Sequence, residues 1–397
     1  MKRLPQKDGI LVPVAVVESG NPPAPSSSSG SSSEADAVVA TSSRTRALAR
    51  RSKRRLSQYL QEKLEGSPTG LSLLERRAIT RLVEKECVRE YQCLQSYLRE
   101  RGAVGVAEAE LDKLLTDYLE TLFFAGEHPI RGEKILAPLM RHEPAHSRVG
   151  TLRVPRAWRA LKGWKRLCPG RSKVPLPRCF WAAAACRLAA HGRVAEAIFV
   201  LLSLSSYLRP GQLLSVRKGE LVPPAAGATA TWSLLVHPVE TGTMSKTGDR
   251  DVSILLDSSW LQWLGPGYRE MKKGAATDRL FQFNYHQFVK AFHVACAELG
   301  MEKVVPYQVR HSGATADRGD NRRTLLEVQR CGQWRSVSSV QRYEKAARLA
   351  TSIHMLGPEL LAHAQECELQ VSEVILFGKR APTVPYGVGG LAATCRR

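Results

Sequence analysis

Four short segments carry residue types that can act together on a phosphodiester. Arg209 lies in Tyr207-Leu208-Arg209-Pro210-Gly211-Gln212-Leu213, at the end of an apolar run. Arg310 and His311 lie in Tyr307-Gln308-Val309-Arg310-His311-Ser312-Gly313. Trp334 follows Cys331-Gly332-Gln333, and Tyr343 closes Val340-Gln341-Arg342-Tyr343. Lys246 sits between them in chain order, in a turn rich in Gly and Thr from Thr241 to Arg250. Phosphoryl transfer builds negative charge on the non-bridging oxygens. Guanidinium is planar, always charged and bidentate, so two arginines suit that charge. A tyrosine hydroxyl, with an ordinary pKa of about 10, must lose its proton to attack phosphorus. It is then a fair leaving group, so the bond energy is kept in a phosphotyrosine and reused for rejoining. Such chemistry needs neither ATP nor a metal in principle, and no cofactor is expected.

In order and spacing these segments resemble the tyrosine recombinases, the phage-integrase-like family. The likeness rests on Arg209 with Gln212, Leu213 and Val216 behind it, on Lys246 between two short strands, and on Tyr307-x-x-Arg310-His311 before Ser312-Gly313-Ala314. It rests also on Trp334, nine residues before Tyr343. It covers roughly residues 71 to 361. The resemblance implies that Tyr343 forms a 3′-phosphotyrosine and frees a 5′-hydroxyl. Arg209 and Arg310 would hold the phosphate, Lys246 would give a proton to the leaving oxygen, and Trp334 and Tyr307 would complete the catalytic group. Tyr307 stands where the family has histidine, and Gln212 where it has an acid. Tyrosine accepts a proton poorly at neutral pH, so the base could be His311 or water. The resemblance implies double-stranded DNA as partner, four protomers on two duplexes, and recombination or integration of a mobile element. Two other readings stay open: a recombinase-derived DNA-binding protein that no longer cuts, and a type IB topoisomerase.

These residues need elements to position them. Leu71 to Leu167 has helical spacing, with apolar runs at Val88–Leu98, Leu111–Leu122, Ile135–Met140 and Trp158–Trp164. Helices are expected at Phe180–His191, Val194–Leu208 and Tyr285–Leu299, and strands at Trp232–His237 and Asp251–Leu256. Thr324-Leu325-Leu326-Glu327 reads as a capping box, Gly332 as a helix stop, and Ser336 or Ser338 as the next cap. The expected fold is mainly α: a two-domain DNA clamp, with an N-terminal helical bundle and an α-rich catalytic domain holding a small antiparallel sheet. The segments are 1–42, disordered and polar; 43–70, a basic arm; 71–168, a helical core-DNA-binding (SAM-like) domain; 169–177, a linker; 178–361, the catalytic domain; and 362–397, a tail. Val371 to Phe377 reads as either helix or strand. Lys165, Arg166, Arg171, Lys173, His311 and Arg342 are expected on DNA, and Lys345 as a surface or backbone contact.

The bulk numbers agree with a polyanion partner. Of 397 residues, 58 are Lys or Arg and 37 are Asp or Glu, a formal net charge of +21. Each neutralised phosphate releases condensed counterions, which draws so basic a chain to nucleic acid. The nine cysteines include no CxxC pair, which argues against structural zinc and for reduced thiols inside a cell. No run is long enough to span a bilayer, so no membrane partner is expected. The cluster Arg50-Arg51-Ser52-Lys53-Arg54-Arg55 reads as a nuclear import signal, an arm along a DNA backbone, or a solvated helix start. The first of these suggests the nucleus.

Overall fold

The computed structural model describes residues 57, 59–61, 63 and 71–385, apart from 104, 106, 148, 171, 172, 228, 243, 244, 246, 247 and 342. The segment 1–42 and most of 43–70 therefore lie outside the described residues. The chain divides into two compact units, the first ending at Gly163 and the second starting at Trp164. That division falls inside a helix, whereas the sequence placed a linker at 169–177. Among the described residues the chain is mainly α-helical, with one small antiparallel sheet. No described helix is long and apolar enough to cross a membrane.

The first unit holds α1 (Leu73–Arg77), α2 (Arg81–Glu100), α3 (Glu108–Phe124), α4 (Ile130–His142) and the start of α5 (Pro155–Leu167). Leu94, Leu111, Leu115, Leu119, Ile135, Leu136 and Leu139 form its buried interior, at the helical spacing expected from sequence. Two buried carboxylates are fully engaged. Glu90 of α2 takes two hydrogen bonds from Arg131 of α4, at 2.8 and 2.9 Å. Asp112 of α3 accepts the backbone N–H groups of Arg156 and Ala157, each at 2.9 Å. Those are donors that the first turn of α5 cannot satisfy internally, and Asp112 places negative charge at that helix's positive end.

The second unit is built on α6 (Arg178–Ala190) and α7 (Val194–Ser206). Nearly every side chain of both is buried, which is why their sequences are apolar on all sides. Then follow α8 (Pro210–Ser215), a sheet, α9 (Gly265–Lys272), α10 (Tyr285–Glu298), α11 (Tyr307–Gly319), α12 (Leu325–Cys331), α13 (Val337–Gln341), α14 (Ala346–Met355) and α15 (Pro358–Phe377). The sheet has three strands, β1 (Leu221–Val222), β2 (Ser233–Val236) and β3 (Val252–Leu255), in that order and antiparallel. In register, Leu234 faces Ile254 and Leu221. The sequence showed only β2 and β3, because β1 is two residues long and runs into Pro223-Pro224. The helix α15 also crosses the expected boundary at 361/362. Its residues Leu360, Ala364, Cys367, Val371 and Val374 are buried, and Arg178 of α6 pairs with Glu368 at 2.5 Å. Up to Phe377 this segment belongs to the interior of the unit.

Candidate active site

The arrangement of α11 against α7 depends on one glycine. A Cβ added at Gly313 would fall on the carbonyl oxygen of Leu204, so only glycine allows the two backbones to come this close. One turn earlier on α11 is Arg310, 1% exposed. Its guanidinium donates to the carbonyl of Tyr207 and, through Nη2, to that of Gly332 at 2.6 Å. Its carbon lies 4.0 Å from the centre of the Trp334 ring. Tyr207 ends α7 in the left-handed conformation, φ 51°, and its hydroxyl donates to the buried Asp317 of α11. Burial lowers the Arg310 pKa to about 10, so the group is charged at neutral pH. Its Nε–H is buried without a partner. Five donors in a fixed fork leave capacity for a phosphate after two carbonyls are served.

Tyr343 lies in the turn that follows α13. The turn is held by Tyr343 N–H to the Val340 carbonyl at 2.7 Å and by Thr315 Oγ1 donating to the Tyr343 carbonyl at 2.6 Å. Upstream, α12 has the expected capping box of Thr324 and Glu327, Gly332 at its end, and Ser336 accepting the Ser339 N–H. A Cβ at Gly332 would collide with the Trp334 ring. The Tyr343 ring is 8% exposed and lies between Trp334, 4.5 Å away, and His311, 4.4 Å away. Burial raises its pKa; a hydrogen bond from Trp334 and the charge of Arg310 work the other way, while Tyr307 adds to the rise. The phenol is thus protonated at rest, beside two groups that favour its anion.

His311 is neutral at physiological pH. Burial, with Lys345, Arg310 and Lys173 nearby, lowers its pKa to about 4. Its Nδ1 is buried with no partner, and its ring meets Tyr307 edge-on at 5.1 Å. Lys345 donates to the Lys173 carbonyl at 3.3 Å. Burial lowers the Lys345 pKa, while the neighbouring Tyr343 raises it. Lys345 therefore lies beside the tyrosine.

Arg209 is half-buried, in extended backbone just before Pro210 at the start of α8. Its N–H and its Nη1 both donate to Gln212 Oε1, at 3.2 and 3.4 Å. Gln212 Nε2 donates to Gln333 Oε1 at 2.8 Å and lies 3.3 Å from His237 Nε2. Arg209 is near enough to affect the ionisation of both Arg310 and His237. Sequence reasoning singled out neither His237 nor Gln333. Gln333 had a faint signal in its place beside Trp334; His237 had none beyond ending an apolar strand.

Tyr343, Arg310, Trp334, Tyr307 and His311 thus come together, with Arg209 close to Arg310. Lys173 approaches His311, while Lys165 and Arg166 stand exposed on the last turn of α5. Lys246, Arg171 and Arg342 lie outside the described residues. Around Lys246 the turn is closed by Ser245 N–H to the Asp249 carbonyl at 3.0 Å and Asp249 N–H to Ser245 Oγ at 2.9 Å. Among the described residues, no group of three or more His, Cys, Asp or Glu side chains is arranged to hold a metal ion.

No protein-family model matches the chain, and no curated protein does. Among solved structures, it is similar to the XerH site-specific recombinase in a post-cleavage complex with the palindromic difH substrate. The identity is 15%, the coverage 62% of this chain and 72% of that one, and the TM-score 0.42. The XerA recombinase matches at 16% identity, over 70% of this chain and 99% of that one, with a TM-score of 0.34. At such identities and TM-scores the likeness bears no functional weight, and the functional reading rests on the residues of this chain.

Proposed function

We propose that this chain breaks and rejoins DNA strands through Tyr343, as a tyrosine recombinase does. The observation that carries the reading is convergence on one phenol. Arg310, Trp334, Tyr307 and His311 surround the Tyr343 ring, from segments separated in sequence. An ordinary half-buried tyrosine needs no such company. The formal charge of +21 suits a polyanionic substrate.

In this reading the scissile phosphate meets the free donors of Arg310 together with Arg209. The Tyr343 oxygen attacks phosphorus and its proton passes to a base. The bond to the 5′-oxygen breaks, leaving a 3′-phosphotyrosine and a 5′-hydroxyl once that oxygen takes up a proton. A 5′-hydroxyl from a partner strand reverses the steps. Neutral His311, with its open Nδ1, is the candidate acceptor at the Tyr343 ring. Its depressed pKa makes it a weak one, so water is the other. Lys246 is the proposed donor to the leaving oxygen. Exchange between two duplexes would take four protomers, and integration of a mobile element is one use for it.

The test is a pool of random-sequence duplexes, each nicked near its centre so that the cleaved end diffuses away. A covalent protein–DNA adduct on a denaturing gel, absent in Tyr343→Phe, is expected. DNA binding with no adduct would sink the cutting reading and leave a recombinase-derived binding protein. Relaxation of supercoiled plasmid by the monomer would instead favour a type IB topoisomerase.

A further inference from the structure

We propose that His237 is a positioning residue whose protonation switches the amides of Gln212 and Gln333 and thereby releases Arg209. The inference rests on the reading of Arg209 as a phosphate-holding residue.

Gln212 is a hub. Its Oε1 accepts both the main-chain N–H and Nη1 of Arg209, at 3.2 and 3.4 Å. Its Nε2 faces Gln333 Oε1 at 2.8 Å and His237 Nε2 at 3.3 Å. An amide nitrogen only donates, so His237 Nε2 accepts here and the ring is neutral, with its proton on Nδ1. Protonation puts a hydrogen on Nε2 as well, and two donors then face each other. The relief is a half-turn of the Gln212 amide that brings its oxygen to the imidazolium. Gln333 can follow, because its Nε2 is buried with no partner and would then donate to the reoriented Gln212 oxygen. Arg209 is the loser, since its two donors now meet an NH2 group. Two arrangements of one amide pair thus exist, each leaving different donors unmet, and a single proton selects between them.

The charges around His237 set where the switch sits. Arg209 faces it from the start of α8, and Asp249 from the β2–β3 turn. Asp251 donates its N–H to the His237 carbonyl at 3.0 Å and accepts the Val239 N–H at 2.8 Å through its side chain. Burial first, and Arg209 second, lower the His237 pKa below 6.5, and Asp249 opposes them. Arg209 is therefore held at neutral pH and freed in acid.

Two arms test this. In the free protein, ¹³C-labelled histidine and ¹⁵N-labelled glutamine side chains are followed by NMR from pH 8 to 5. The Gln212 and Gln333 amide resonances are expected to move with the His237 titration and to stay fixed in His237→Asn, a residue that tolerates the same left-handed backbone. Fixed amide resonances in the wild type would overturn the switch, whatever the chain does to DNA. In the second arm, single-turnover adduct formation on the nicked pool is measured over the same range. The wild type should lose about tenfold per pH unit below its inflection, as for one controlling proton. His237→Asn should lack that limb, and His237→Ala should be slowed at every pH. An adduct with the same limb in wild type and His237→Asn would overturn the proposal. Absence of any adduct would count against the Tyr343 reading, and the first arm would still decide the switch.

Discussion

Arg310→Lys keeps a positive charge at the centre of the site and removes the fork. The guanidinium bridges the carbonyls of Tyr207 and Gly332, and one ammonium reaches only one of them. A buried carbonyl left without a donor costs about 1–3 kcal/mol. Loss of the planar contact with Trp334, at 4.0 Å, removes up to about 2 kcal/mol more from a desolvated pair. The expected destabilisation is about 2–4 kcal/mol, a large share of the roughly 5–15 kcal/mol that holds a domain folded. With a urea dependence of about 2 kcal/mol per molar, the unfolding midpoint should fall by about 1–2 M at constant slope. Adduct formation, measured without denaturant where circular dichroism shows the variant folded, should fall by about 10²–10³, as for loss of one preorganised donor. A midpoint within about 0.3 M of wild type would refute the claim that Arg310 ties the end of α7 to the turn before Trp334. Full adduct formation would refute its catalytic place.

Two further substitutions test the framework. Gly313→Ala puts a methyl group on the Leu204 carbonyl, and backbone cannot yield as a side chain would. Overpacking of this kind costs about 1–3 kcal/mol, and the gain in helix propensity returns at most about 1. A thermal midpoint at or above wild type would refute the contact. Asp112→Ala strips two N–H groups of α5 of their acceptor. It should cost about 1–2 kcal/mol, as capping losses do. Hydrogen exchange at Arg156 and Ala157 should speed up first, and unchanged exchange there would refute the cap.

The residues read from sequence were those whose information is local. Thr324 and Glu327 form their capping box within four residues, so α12 and its stop at Gly332 were visible, and with them the short connection carrying Trp334 to Tyr343. Arg310 and His311 lie on one helix, and their types already implied an anion. His237 and Gln333 were not visible, because their partner is Gln212, 25 and 121 residues away. A pairing of neutral amides and imidazole has no charge pattern to announce it. The helix α15 was legible only as helix or strand over Val371 to Phe377, for a related reason. His363 and Cys367 stand in its buried stripe, and polar or thiol residues there blur the apolar period. Strand β1 lives on pairing with β2 alone, which no two-residue sequence can show.

Backbone conformation links the hub to the rest of the site. Tyr207, His237 and Gln333 all have positive φ, at 51°, 54° and 54°, in a region that costs a non-glycine residue about 1–2 kcal/mol. Each ends an element that meets the arginines. Tyr207 turns its carbonyl to Arg310, Gln333 follows the Gly332 carbonyl that Arg310 also holds, and His237 closes β2 beside Gln212. Glycine at these places would relieve the backbone. It would also remove a ring that packs on Trp334, an imidazole and an amide. The strain, about 3–6 kcal/mol over the three, is comparable to what the two charge-assisted bonds of Arg310 contribute, at about 1.5–3 kcal/mol each. One buried arginine therefore offsets much of the cost of holding its own neighbours in place.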